Sequence, residues 1–193
     1  MATKKLCLAQ DPDADALLAR SPLALLIGMV LDQQIPLEKA FSSPYVLAQR
    51  LGHDYDAREI ASLSPERLHE AFATPPALHR FPGSMGQRVQ DMCRALVDDY
   101  DGEPTKVWDT KDGAELYRRI KALPGFGEQK AKIFVALLGK QYGVRPKGWR
   151  EVSAPYGEDG SRKSVADITN AKSLAEVRAY KQEMKAAAKA AAH

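Results

Sequence analysis

Leu23-Ala24-Leu25-Leu26-Ile27-Gly28-Met29-Val30-Leu31 is apolar on nearly all sides of a helix, and the N-cap pair Ser21-Pro22 opens it. A helix without a polar face has to be enclosed by other elements, so this segment calls for a bundle with a central, buried helix. The rest of the chain supplies the enclosing elements. Between turn signals it is rich in Ala, Leu, Lys, Arg, Glu and Gln, with apolar residues spaced at about 3.6, and it holds no alternating run of β-branched residues. The fold class is read as all-α.

Pro36 opens a second helix through Leu37, Ala40 and Phe41, which Ser42-Ser43-Pro44 is expected to kink or interrupt before Tyr45, Val46, Leu47 and Leu51. Asp56 caps a short helix ending near Leu63, and Ser64-Pro65-Glu66 begins another with Leu68 and Phe72 inward. Residues 74–84, with three prolines and a glycine, read as a loop. Helices are expected from Met85 to about Tyr100, from Asp109 to Leu123 and from Glu128 to about Tyr142. Residues 143–163 read as irregular. A helix from Ser173 carries Leu174, Val177 and Tyr180 into an Ala/Lys-rich end whose last turns, with little to pack against, are expected to fray.

Composition excludes several classes. With 45% apolar and 27% charged residues in 193, the chain is neither disordered nor fibrous. No stretch reaches the roughly 18 apolar residues of a membrane span. The start Met-Ala-Thr-Lys-Lys leads to Asp11, Asp13 and Asp15 rather than to an apolar signal, so a cytoplasmic protein is expected. Cys7 and Cys93 fit no metal-ligand spacing and read as buried, reduced thiols, with no zinc site, iron–sulfur cluster or disulfide. The net charge is only +3, but residues 115–150 hold 9 Lys and Arg against 2 Asp and Glu. A basic region of that size either attracts a phosphate backbone or is an ordinary solvated face.

The chemistry-bearing segment is Leu123-Pro124-Gly125-Phe126-Gly127, a very short join between two apolar-faced helices. Gly125 and Gly127, lacking Cβ, can adopt positive φ and let another backbone approach. The second helix starts there, and its unpaired amides and positive dipole end suit a phosphate oxygen. Such contacts bind without reading sequence, and Lys130 and Lys132 add salt-sensitive attraction. The same spacing also fits an ordinary glycine C-cap between two antiparallel helices.

In this segment the chain resembles the helix-hairpin-helix DNA glycosylase superfamily (HhH-GPD), which includes endonuclease III, the adenine glycosylase of mismatch repair and the alkyl-base glycosylases. Two further segments are similar to that family in order and approximate spacing: Gly28-Met29-Val30-Leu31-Asp32-Gln33-Gln34 and Gly86-Gln87-Arg88-Val89-Gln90-Asp91-Met92. The resemblance implies a helical bundle of two small lobes with a cleft: a helix-hairpin-helix core over residues 21–145, and flanking segments 1–20 and 146–193 packed as a second lobe. It implies that Gln33 or Gln34 enters the duplex to fill the gap left by a flipped base. It also implies that the amides of Gly125, Gly127 and Gln129 hold a phosphate, while the carbonyls of Lys121, Leu123 and Phe126 ligate a structural monovalent cation. The partner is then double-stranded DNA with a damaged base, bound by a monomer that requires no cofactor.

Two departures shape the expected chemistry. Gln129 stands where bifunctional members carry a catalytic lysine, and an amide forms no Schiff base. Lys130, one residue along, is expected to be rotated out of the pocket. Gly148 stands where the family's catalytic aspartate falls after a Pro-x-Asp pattern. A carboxylate is needed beside the positive charge that develops on the sugar as the base leaves. Glu151 and Asp32 are the first substitutes and Glu158 and Asp159 more distant ones, although each also reads as a solvated acid or helix cap. Trp149 and Tyr156, with Phe81 and Met85, are candidates to stack on an extruded base, or ordinary core residues. The expectation is a monofunctional glycosylase of base-excision repair that hydrolyses the N-glycosidic bond. The alternative is a non-catalytic binder of damaged or distorted DNA.

Overall fold

The computed structural model describes residues 5–192; the start Met-Ala-Thr-Lys lies outside them. Two capping residues launch the fold. Asp11 accepts the Ala14 amide at 2.9 Å and opens α1 (Pro12–Arg20), a helix that the run of aspartates does not announce. Ser21 ends α1 and opens α2 (Pro22–Leu31), its Oγ accepting the Ala24 amide at 3.1 Å, and the chain turns by 116° there. Asp15 faces inward and accepts the Leu8 and Ala9 amides at 2.8 Å each, which ties residues 5–11 to α1.

α2 is buried from Leu23 to Leu31, as its composition requires. α3 (Leu37–Leu51) crosses it so closely that a Cβ on Gly28 would lie 2.6 Å from Cδ1 of Phe41, itself fully buried. Of the kink or interruption expected at Ser42-Ser43-Pro44, the interruption does not occur: α3 runs through Pro44. Burial of Ala40, Phe41, Leu47 and Ala48 spans the proline and holds the helix in one piece against the loss of a backbone hydrogen bond. α4 (Ala57–Ser62) and α5 (Pro65–Ala73) pack on α6 (Pro82–Tyr100). α6 begins three residues before the expected Met85 because Pro82 serves as its first helical residue.

A 3-10 turn, Pro104–Trp108, occupies the run-up to α7 (Gly113–Ala122), which starts later than the expected Asp109 because Asp112 is its cap. α8 (Glu128–Gln141) follows after five residues. Residues 143–163, expected to be irregular, contain one short helix, α9 (Trp149–Val152), which packs on α7 and α8. α10 (Ala171–Ala191) opens with an Asn170–Ser173 capping box and is helical to Ala191, past the turns expected to fray.

The class is all-α: among the described residues there are ten α-helices and no strand. The buried apolar side chains form one connected cluster from Leu6 to Val177, with α1, α3 and α6 around α2 on one side and α7, α8 and α9 on the other. Cys93 is buried, and burial pushes its thiol up, whereas Cys7, expected to be buried, is only half-buried; both are free. No single helix among the described residues is long and apolar enough to cross a membrane.

Candidate nucleic-acid interface

The turn between α7 and α8 is anchored by its apolar residues. Leu123 and Phe126 are buried, and Phe126 packs edge-on against Phe134 of α8 with ring centroids 5.5 Å apart. The Phe126 amide donates to the Leu123 carbonyl at 3.1 Å, so one of the three carbonyls expected to ligate a cation, those of Lys121, Leu123 and Phe126, already accepts a bond.

The two glycines differ. Gly125 has φ of 92°, in the left-handed region that its missing Cβ allows. Gly127 does not adopt positive φ: it caps α8 in extended backbone with φ of −85° and ψ of −176°. What Gly127 provides is open space, since a Cβ there would meet no heavy atom within 4 Å. No side chain caps α8, and among the described residues the amides of Gly125, Gly127 and Gln129 donate to no carbonyl or side chain.

This turn is seated on the end of α2. A Cβ on Gly125 would lie 3.2 Å from both γ-carbons of Val30 and 3.3 Å from Cδ of Arg88. Nζ of Lys130 donates to the Val30 carbonyl at 3.1 Å. Lys130, expected to add salt-sensitive attraction, is therefore half-buried and turned back onto α2. Burial, with repulsion from Arg88, pushes its ammonium down to about 8 against the pull of Asp32. Lys132 is shared with Glu128 at 3.4 Å. The cation added to the turn is Arg88, exposed on α6, to which helical spacing alone assigns no role.

Beyond Val30 come Asp32, Gln33 and Gln34, and the two glutamines part company. The Gln33 side-chain amide reaches Sδ of Met85 at 3.0 Å, and the Gln33 main-chain carbonyl accepts Nε2 of His79 at 2.8 Å. Nδ1 of His79 in turn accepts the Phe81 amide at 3.0 Å, so the ring is neutral with its proton on Nε2. Burial holds the His79 imidazole below its usual range. Gln34 is exposed with φ of 58°, and Phe81 nearby is 45% exposed. Gln33 and Met85 thus brace the turn from inside, while Gln34 and Phe81 present side chains outward. No sequence period marks His79 as the brace, because it lies in a proline-rich loop.

Asp32 lines a crevice of about 220 Å³ with Pro36, Leu37, Leu174, Val177 and Lys181, between the end of α2 and α10. Burial raises its carboxyl pKa, opposed by Lys181 and Lys130. Leu174 and Val177 seat α10 there, and Arg178 pairs with Glu38. Glu151 is exposed on α9 and does not line this crevice, so the two foremost candidate acids are not brought into one pocket. Asp159 pairs with Arg150 at 2.7 Å and Glu158 with Lys163 at 3.7 Å.

Gln129 and Tyr156 do meet: the amide donates to the tyrosine hydroxyl at 2.9 Å, in a depression of about 250 Å³ shared with Glu128, Lys132 and Pro155. Trp149 is 8% exposed. A Cβ on Gly139 would lie 2.3 Å from its ring, and the Arg150 guanidinium covers it at 4.6 Å, so Trp149 fastens α9 to α8 and lines neither depression. No family model, curated protein or solved structure matches the chain.

Proposed function

We propose that the protein binds double-stranded DNA carrying a damaged base and hydrolyses the N-glycosidic bond of that base, as a monofunctional glycosylase of the helix-hairpin-helix class. The observation that carries this reading is the seating of the 123–127 turn on Val30. It sets the amides of Gly125, Gly127 and Gln129, unpartnered among the described residues, with Arg88 alongside, next to the turn that projects Gln34. A phosphate at the amides fixes the duplex without reading its sequence, and Gln34 is then the side chain to enter the stack, with Phe81 as an apolar wedge.

Asp32 is the carboxylate of this reading. It adjoins the gap-filling turn; burial raises its pKa, and its neighbours Lys181 and Lys130 oppose that shift. The carboxylate stabilises the positive charge that grows on the sugar and orients a water molecule. The carbon–nitrogen bond breaks, the water oxygen bonds to the sugar carbon, and the proton released leaves with the base. Lys130 faces the Val30 carbonyl rather than open solvent, and Gln129 forms no Schiff base, so no lyase step is included.

Binding without cleavage is the second reading, favoured by the position of Glu151 outside the Asp32 crevice and by the covering of that crevice by α10. Single-turnover base release from duplexes with one defined lesion each, scored with and without alkali, separates the two. Strand cleavage only after alkali is the expected result; tight binding with no release from any lesion establishes the second reading.

A further inference from the structure

Beyond Lys181, which borders the Asp32 crevice, the last turns of α10 pack on no other element among the described residues. Every residue from Lys181 to Ala192 is exposed, and Leu174 and Val177 at the other end do the docking. The sequence there, Lys181-Gln182-Glu183-Met184-Lys185-Ala186-Ala187-Ala188-Lys189, places lysines at every fourth residue. At about 100° per residue, Lys185 and Lys189 lie within about 80° of Lys181, while the only acid, Glu183, is on roughly the opposite side. Alanine favours the helix in this segment without a partner, and along it the lysines form a row about 12 Å long. The lysine pairs elsewhere, Lys106–Asp101, Lys132–Glu128, Lys140–Asp167 and Lys163–Glu158, involve none of them.

The row has a direction. Lys181 lines the crevice at Asp32, immediately before Gln33 and Gln34, so the lysines lead outward from the turn assigned to the duplex. We infer that the exposed half of α10 is a second DNA-contacting arm, whose Lys181, Lys185 and Lys189 follow a phosphate backbone beyond the 123–127 turn. The inference rests on the proposed duplex binding and gives a partner to a surface outside the turn and the crevice. Charge complementarity favours this occupant: one face carries three cations with flexible stems, and a duplex presents phosphates at spacings such stems reach. Contacts of this kind add affinity without sequence preference.

The test is the salt dependence of binding to an undamaged duplex, measured by fluorescence anisotropy for the full chain and for a variant with Lys181→Gln, Lys185→Gln and Lys189→Gln. Glutamine preserves helix propensity, and circular dichroism checks the fold. The slope of log K against log salt is expected to become shallower by about 2–3, at about 0.9 for each phosphate no longer neutralised. The pair Lys185→Gln and Lys189→Gln, which leaves the Asp32 crevice intact, is expected to show about two-thirds of that change.

Equal slopes in a folded variant that still binds duplex overturn the arm and leave the functional reading standing. If the lysine variant loses slope while Gly125→Val binds as well as the parent, the arm stands and the turn does not. Binding of the parent to phosphatidylserine vesicles, with none to duplex, assigns the row to a membrane surface and overturns the inference.

Discussion

Nζ of Lys130 donates to the carbonyl of Val30 at 3.1 Å, linking the first turn of α8 to the last turn of α2 across 100 residues of sequence. That bond and the packing of Gly125 on Val30 make two chemically separate turns one surface. The turn glycines differ in what they contribute to it, and substitutions are expected to separate the contributions.

Gly125→Ala introduces a side chain at positive φ and within 3.2 Å of Val30, so it is expected to cost about 1–3 kcal/mol of stability and to weaken duplex binding. Gly127→Ala meets open space in extended backbone and is expected to change stability by less than about 0.5 kcal/mol. If a phosphate approaches that glycine, duplex affinity falls all the same. Urea unfolding and anisotropy on both variants check this, and unaltered binding by Gly127→Ala removes the close approach.

Gly28→Ala tests the core. Its added carbon falls 2.6 Å from a fully buried ring, so the core has to shift to admit it and a loss of about 1–3 kcal/mol is expected from the urea midpoint.

His79 gives a pH signature. Its imidazole pKa is lowered in the fold from 6.5, chiefly by burial, so the unfolded chain binds the proton more readily. The stability contributed by the neutral ring is complete above about 6.5 and declines as pH falls below it. Protonation of Nδ1 also removes the acceptor for the Phe81 amide. Unfolding curves between pH 7 and 5 are expected to fall more steeply for the parent than for His79→Gln, and parallel curves would discount the brace.

Asp32→Asn is expected to abolish base release while retaining lesion binding. Because burial raises the Asp32 pKa, the acid-side loss of activity is expected at a higher pH than for an ordinary aspartate with its value of 3.8. Single-turnover pH profiles measure both; full activity in the variant eliminates Asp32 as the carboxylate.

Gln34→Ala and Gln33→Ala separate the exposed glutamine from the braced one. The former is expected to weaken binding to a duplex with an abasic gap at little cost in stability. The latter removes the side chain that reaches Met85 Sδ at 3.0 Å and is expected to act through the shape of the turn, with a lower thermal midpoint. Equal gap affinity in Gln34→Ala would exclude insertion.

The all-α class and the buried centre were determined by local chemistry: a uniformly apolar α2, capping residues at Ser21, Asp56 and Ser64, and helical spacing through α6, α7 and α8. Such signals are written within a few residues of where they act. Local rules left open a kink or a break at Pro44, where α3 runs on because burial on both sides outweighs the missing amide, and a positive φ at Gly127, whose backbone is extended. Only the tertiary structure decided that Lys130 faces Val30, that Gln33 is braced on Met85 while Gln34 is exposed, that Trp149 is packed on Gly139, and that Asp32 and Glu151 lie apart. The first two outcomes join residues 100 and 52 positions apart, and helical periodicity carries information only over a few turns.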